Sequence, residues 1–221
     1  MKHYKSLKVL SALVVAICLP AFAADETAVW LAQNASESGD GILIPDSKGT
    51  YDFMLADAAG VTIGAKPDSP GDAKSIEFSG SQKAAFKTVM PIPQVASSIS
   101  ISMQVRASET SGDGDSTIIC SSQWEVRHII KMSKFVLIVR GEDITGVSLP
   151  TKQGVWQTLK ATVSADSITL SVDGEAATGV PKGNLSMSPK PSPLVMGGFL
   201  GKEGLIRKFF GSVADIRISV E

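Results

Sequence analysis

The chain has 221 residues, 21 Lys+Arg against 22 Asp+Glu, a formal net charge of −1, and only 6% aromatic residues. This length fits one large all-β domain better than a string of small ones. The near-neutral balance lacks the basic excess that nucleic acid or an anionic membrane surface demands.

Lys2, Lys5 and Lys8 precede an apolar stretch from Val9 to Leu19 that only Ser11 interrupts. Pro20 and Ala21-Phe22-Ala23 follow. A basic leader, a short apolar run and a small-x-small site predict a signal peptide over 1–23, cut before Ala24. The run is too short to cross a bilayer, which takes about 20 residues. The expected destination is therefore secreted or periplasmic, with no membrane insertion after cleavage. Removing 23 of 221 residues leaves 198 and lowers Lys+Arg from 21 to 18 against 22 acids, a formal charge of −4. Of the two cysteines only Cys120 then remains, so no intramolecular disulfide is expected. Cys120 lies in the apolar Ile118-Ile119-Cys120 run, as a small buried hydrophobe would.

The rest of the chain, 24–221, is expected to form a single domain. Ala65 to Asp72, with Pro67, Pro70 and Gly71, is expected to be a long loop within it. Ser98 to Arg106 alternates Ile99, Ile101, Met103 and Val105 with polar residues, the period of a half-buried strand. Phe135 to Arg140 is continuously apolar up to its last residue, which suits a strand covered on both faces. Trp156 to Val163 and Ser167 to Val172 are predicted to pair across Ser164-Ala165-Asp166, with Trp156 as a core anchor. Asp173-Gly174 is a strong hairpin turn, because glycine tolerates positive φ. Val213 to Val220 alternates Ala214, Ile216, Ile218 and Val220 with Asp215, Arg217 and Ser219. Strands with turns between them and no amphipathic helix predict an all-β, two-sheet antiparallel β-sandwich or jelly roll.

Several strings resemble the bacterial laminin-G-like, concanavalin A-like jelly rolls. Asp46-Ser47-Lys48-Gly49 is similar to their D-S-x-G turn, and Ile76-Glu77-Phe78-Ser79-Gly80 to their L-x-F-D-G strand end. Ile99 to Val105 is similar to another of their strands, with Met103 where an aromatic residue often stands. Gly154-Val155-Trp156 resembles their G-x-W strand, and Ser171-Val172-Asp173-Gly174 their Y-V-D-G turn without the aromatic. Gly197-Gly198 and then Phe210 to Ile218 resemble the closing signature. The resemblance implies a laminin-G-like jelly roll over 24–221. It also implies a choice among roles the superfamily plays: lectin-like binding, protein interaction, or polysaccharide cleavage.

Cleavage on this fold relies on residues this chain lacks. A glycosidase needs two carboxylates about 5–10 Å apart, and the family's E-x-D-x-x-E strand is absent. Glu142-Asp143 are adjacent and would point to opposite faces. Past the leader, His128 is the only histidine and Tyr51 the only tyrosine, and Gln123 is five residues from His128. That excludes the lyase pattern of Gln-x-His with a Tyr-rich strand, and it leaves zinc short of ligands. No G-x-S-x-G elbow is present. The chain is therefore expected not to be an enzyme.

The function expected from these residues is an exported, non-catalytic module for extracellular or envelope carbohydrate. The alternatives are a protein-interaction or structural envelope domain, and an enzyme with an unrecognised site. Trp124, Arg127 and His128 are the candidate ligand residues, a ring for stacking with donors for hydroxyls. Against that stand a Trp124 that packs at a sheet edge and a His128 that is an ordinary strand residue. Asp113 and Asp115, interleaved with Gly112 and Gly114, are a candidate weak Ca²⁺ loop to which Glu109 could contribute. The competing reading is a solvated turn.

Overall fold

The structure is a computed structural model that describes residues 26–220 apart from 56, 67–72, 82, 93–97, 110–113, 141–142, 183–191 and 203. The expected leader and Asp113 lie outside the described residues. In chain order the strands are β1 (Glu26–Trp30), β2 (Ser36–Ser38), β3 (Gly41–Ile44), β4 (Phe53–Leu55), β5 (Val61–Ala65), β6 (Lys74–Ser79) and β7 (Phe86–Thr88). Then come β8 (Ser98–Ala107), β9 (Asp115–Cys120), β10 (Trp124–Ile129), β11 (Lys134–Arg140), β12 (Ile144–Pro150) and β13 (Trp156–Ser164). The last are β14 (Ile168–Val172), β15 (Glu175–Gly179), β16 (Val195–Met196), β17 (Phe199–Gly201), β18 (Gly204–Ile206) and β19 (Phe210–Val220). Two one-turn 3₁₀ segments are the only helical pieces among the described residues.

The strands form two antiparallel sheets that pack as a sandwich, as the alternating pattern predicts. The first sheet runs β15-β14-β13-β8-β19-β6-β5, with β1 also pairing β19. The second runs β12-β11-β10-β9-β16-β7-β4-β3-β2. The short β17–β18 hairpin belongs to neither sheet. Between the sheets lies one continuous cluster that includes Trp30, Ile44, Phe53, Phe86, Ile101, Val105, Trp124, Phe135, Leu159 and Ile216. Each such large apolar side chain contributes roughly 1.5–3 kcal/mol by leaving water.

Local chemistry accounts for several turns. Asp173 and Gly174 both have positive φ, 51° and 91°, which is the two-residue hairpin turn expected between β14 and β15. The Asp173 carboxylate ties that turn back to β13, accepting from Thr158 N at 2.8 Å and Gln157 Nε2 at 2.9 Å. In the Asp46-Ser47-Lys48-Gly49 turn, the buried Asp46 carboxylate accepts backbone N–H groups from Lys48, Thr50 and Tyr51 at 2.6–2.8 Å. The resemblance there marks a structural turn.

Three expectations need correction. Trp156 is not a core anchor: in β13 it is Gln157, Leu159, Ala161 and Val163 that turn inward, so Trp156 lies half-buried on the outer face. There the Lys66 ammonium sits 5.1 Å over its ring. β11 is not covered equally on both faces: Phe135, Leu137 and Val139 are buried, while Val136 and Ile138 are only half covered. The alternation in β19 is broken, because Val213 and Ala214 are both buried and the register shifts between Ala214 and Arg217. Asp215, with φ 52°, sits in that shift. A β-bulge of this kind lets one long strand serve β6 with its first half and β1 with its second.

Candidate functional site

The three residues expected to form one ligand surface are divided between two faces of β10. Trp124 and His128 are each 1% exposed and turn into the core, whereas Arg127 turns outward. The His128 ring packs 5.6 Å from Phe135, and burial pulls its pKa down to about 4. Neither ring is offered to a ligand, which corrects the stacking role expected for Trp124 and the donor role expected for His128. Cys120 is buried as expected, and burial pushes its thiol up to about 12.

Arg127 belongs to a different constellation, on the outer face of the second sheet. Its partner is Glu125, wholly buried although it shares the outward parity of β10. Glu125 Oε1 accepts from the guanidinium groups of both Arg127 and Arg140. Its Oε2 accepts from Thr117 Oγ1 at 3.2 Å and pairs with Arg207 Nη2 at 3.4 Å. Burial pushes the Glu125 carboxyl up, but the Arg127 hydrogen bond and the charges of Arg127, Arg140 and Arg207 outweigh it and hold the group below its ordinary value. Arg207 and Arg140 also lie over the Phe199 ring, at 4.4 and 5.3 Å. Arg207 has φ 47°, and its carbonyl accepts the Thr117 N–H at 2.7 Å. The cluster thus fixes the β17–β18 hairpin, which begins at Phe199 and ends just before Arg207, against β9, β10 and β11.

Asp115 accepts from Arg127 Nη1 at 3.4 Å, so one of the two aspartates expected to face calcium already faces a guanidinium. Among the described residues no three His, Cys, Asp or Glu side chains gather as a metal set.

The outer face of the first sheet carries an open cleft of about 600 Å³. Its residues come from strands far apart in sequence. Glu77 on β6 is opposite Ser212 on β19, Ser212 is opposite Arg106 on β8, and Arg106 is opposite Trp156 on β13. Residues opposite one another in an antiparallel pair share a face. Glu77, Arg106 and Ser212 line the cleft with Ser79, Ser108, Glu109 and Phe210. The Arg106 Nε donates to the Gly154 carbonyl at 2.9 Å, which fixes the side chain on the cleft wall. Phe210 lies over Gly80: a Cβ there would meet the ring's Cζ at 2.1 Å, and the glycine φ is +72°. Glycine at that point lets the aromatic ring form one wall of the cleft. Sequence reasoning had marked the Glu77 and Phe210 strings only as parts of a fold resemblance.

No family model matches the chain, and no curated protein matches it. Solved structures do. Domain 4 of AbnA, a GH43 extracellular arabinanase from Geobacillus stearothermophilus in complex with arabinotriose, is 13% identical and has a TM-score of 0.63. That match covers 89% of this chain and 93% of the domain. Trypanosoma rangeli sialidase is 13% identical with a TM-score of 0.61, over 87% of this chain and 30% of that one. The binding domain of botulinum neurotoxin DC, in complex with SialylT, is 13% identical with a TM-score of 0.58, over 88% of this chain and 47% of that one. These likenesses establish the β-sandwich fold.

Proposed function

We propose that this chain is an exported, non-catalytic carbohydrate-binding module, of laminin-G-like kind, and that it holds a hydroxyl-rich sugar in the cleft over β6, β19 and β8. The observation that carries this reading is the chemistry of the cleft wall. Two carboxylates, one guanidinium and three serine hydroxyls face a common space beside an aromatic ring. Sugars present alternating hydroxyls and apolar C–H faces, and a few placed polar groups beside a ring answer both. The presence of Glu77 and Glu109 suits neutral sugars, whose hydroxyls donate to carboxylates. Structurally similar domains in complex with arabinotriose and with SialylT support a binding role on this scaffold.

The same two carboxylates favour one second reading, glycoside cleavage. Against it, Glu109 is exposed rather than enclosed in the apolar surroundings that suit a general acid. A glycan array probed with the purified chain and with Arg106→Gln tests the proposal. Retention of neutral glycans that is lost in the variant supports it. An empty array, or retention unaffected by the variant, contradicts it. Turnover of a polysaccharide panel abolished by Glu77→Gln would reassign the chain as an enzyme.

A further inference from the structure

Among the described residues the cluster around Glu125 holds more positive charge than its acids offset. Arg127, Arg140 and Arg207 face Glu125, and Arg127 also faces the partly exposed Asp115, three cations against two anions among the described residues. Their side chains are 15%, 28% and 23% exposed, so the groups are largely withdrawn from water. Arg127 Nε, Arg140 Nη1 and Arg207 Nε are buried without a hydrogen-bond partner. Buried donors are normally satisfied, and guanidinium groups especially so. Burial and the neighbouring Arg127 and Arg140 hold Arg207 below its ordinary pKa despite Glu125, so the surplus charge works against itself. Arg207 is also held in a left-handed backbone conformation, a strain that recurs at ligand clamps.

A small cleft of about 200 Å³ shares Phe199 with this cluster. Phe199, the ring beneath Arg140 and Arg207, is one of its walls. Exposed Lys87 and the hydroxyl-bearing Ser121, Ser122 and Ser192 line it together with the apolar Cys120, Pro193, Val195 and Leu200. It has room for a single sugar ring, with hydroxyl partners, a further cation and an aromatic surface.

The geometry points to this place, on the second sheet, as a site for an acidic sugar: the carboxylate is taken by the Arg127–Arg140–Arg207 cluster and the ring lies in the cleft beside Phe199. It is a second site, on the sheet opposite the neutral-sugar cleft, and the inference stands whether or not that cleft binds. A carboxylate offers the planar, two-oxygen acceptor that guanidinium groups match. It would also balance the surplus charge.

Calorimetric titration at low ionic strength tests this with five probes: glucuronate, galacturonate and N-acetylneuraminate as sugar acids, glucose as a neutral sugar, and acetate as the bare carboxylate. The expected result is binding of at least one sugar acid about tenfold or more tighter than glucose or acetate, the scale of one charge-assisted hydrogen bond. That binding is expected to weaken about tenfold or more in Arg140→Gln and to fall with added salt. Lys87→Met, at an exposed position, is expected to weaken it as well, and this holds the test open if Arg140→Gln does not fold. Arg106→Gln is expected to leave it unchanged, which separates this site from the cleft on the first sheet. Three results would overturn the inference: no heat from any sugar acid, acetate matching the sugar acids, or full binding retained in folded Arg140→Gln and Lys87→Met.

Discussion

The outer faces of the two sheets use charge in opposite ways. On the first, Glu77, Arg106 and Glu109 line an open cleft. On the second, Glu125 is sealed beneath three arginines that bind a hairpin to the sheet. Both arrangements rest on the same cross-strand geometry, in which opposite residues share a face. The difference is solvent. An ion pair out of water organises structure and is costly to break, while charges left at the surface contribute little to stability.

That contrast predicts unequal responses to mutation. The largest effect is expected at Glu125→Ala, which leaves the arginines facing one another. It should lower stability by about 3 kcal/mol or more in a denaturant titration. Glu77→Gln on the open face should change stability by less than about 0.5 kcal/mol. Equal losses at the two positions would break the distinction.

The core between the faces makes a pH prediction of similar size. His128 has a folded pKa of about 4 against an ordinary 6.5. Between these values the unfolded chain takes up a proton that the folded chain refuses. Stability should therefore rise with pH from about 4 to 6.5, and fall as acid is added through that window. The difference amounts to about 3 kcal/mol when fully developed below pH 4. His128→Phe should flatten this part of the profile, and an unaltered profile would mean that the histidine accepts its proton in the folded state.

Gly80→Ala is expected to cost about 1–2 kcal/mol, from a left-handed backbone and a Cβ that meets the Phe210 ring. It should also weaken glycan retention, because the ring is a wall of the cleft. Normal retention would sharpen the account by removing Phe210 from it. The smallest effect belongs to Gly174→Val at the exposed hairpin turn. Nothing lies within 4 Å of its Cβ position, so only the backbone at φ +91° resists, by about 1 kcal/mol. An unchanged denaturation midpoint would show that the turn relaxes.

The fold was legible because burial imposes a period of two, and the strands near 98–107, 156–164 and 168–172 display it openly. The same period carried site information that a residue-type reading passed over. In Trp124-Glu125-Val126-Arg127-His128, parity puts Trp124 and His128 on one face and Arg127 on the other. Grouping all three as one surface conflicts with that alternation. Trp156 likewise has the parity of Thr158 and Lys160, which marks it as outward-facing. Other features were beyond the sequence. Glu77, Arg106 and Ser212 meet only because β6, β19 and β8 are neighbours in the sheet. Nothing local in the chain specifies that order. The burial of Glu125 depends on a hairpin some 80 residues away folding back over β9 and β10, a contact that no periodicity encodes.

The most direct measurement is the ¹H–¹⁵N spectrum of the chain titrated with a neutral glycan retained on the array. The account predicts that the shifted amides gather at Glu77, Ser79, Arg106, Glu109, Phe210 and Ser212, with β9 to β11 unmoved. Shifts centred on the second sheet or spread over the edges, with those six residues silent, would contradict it.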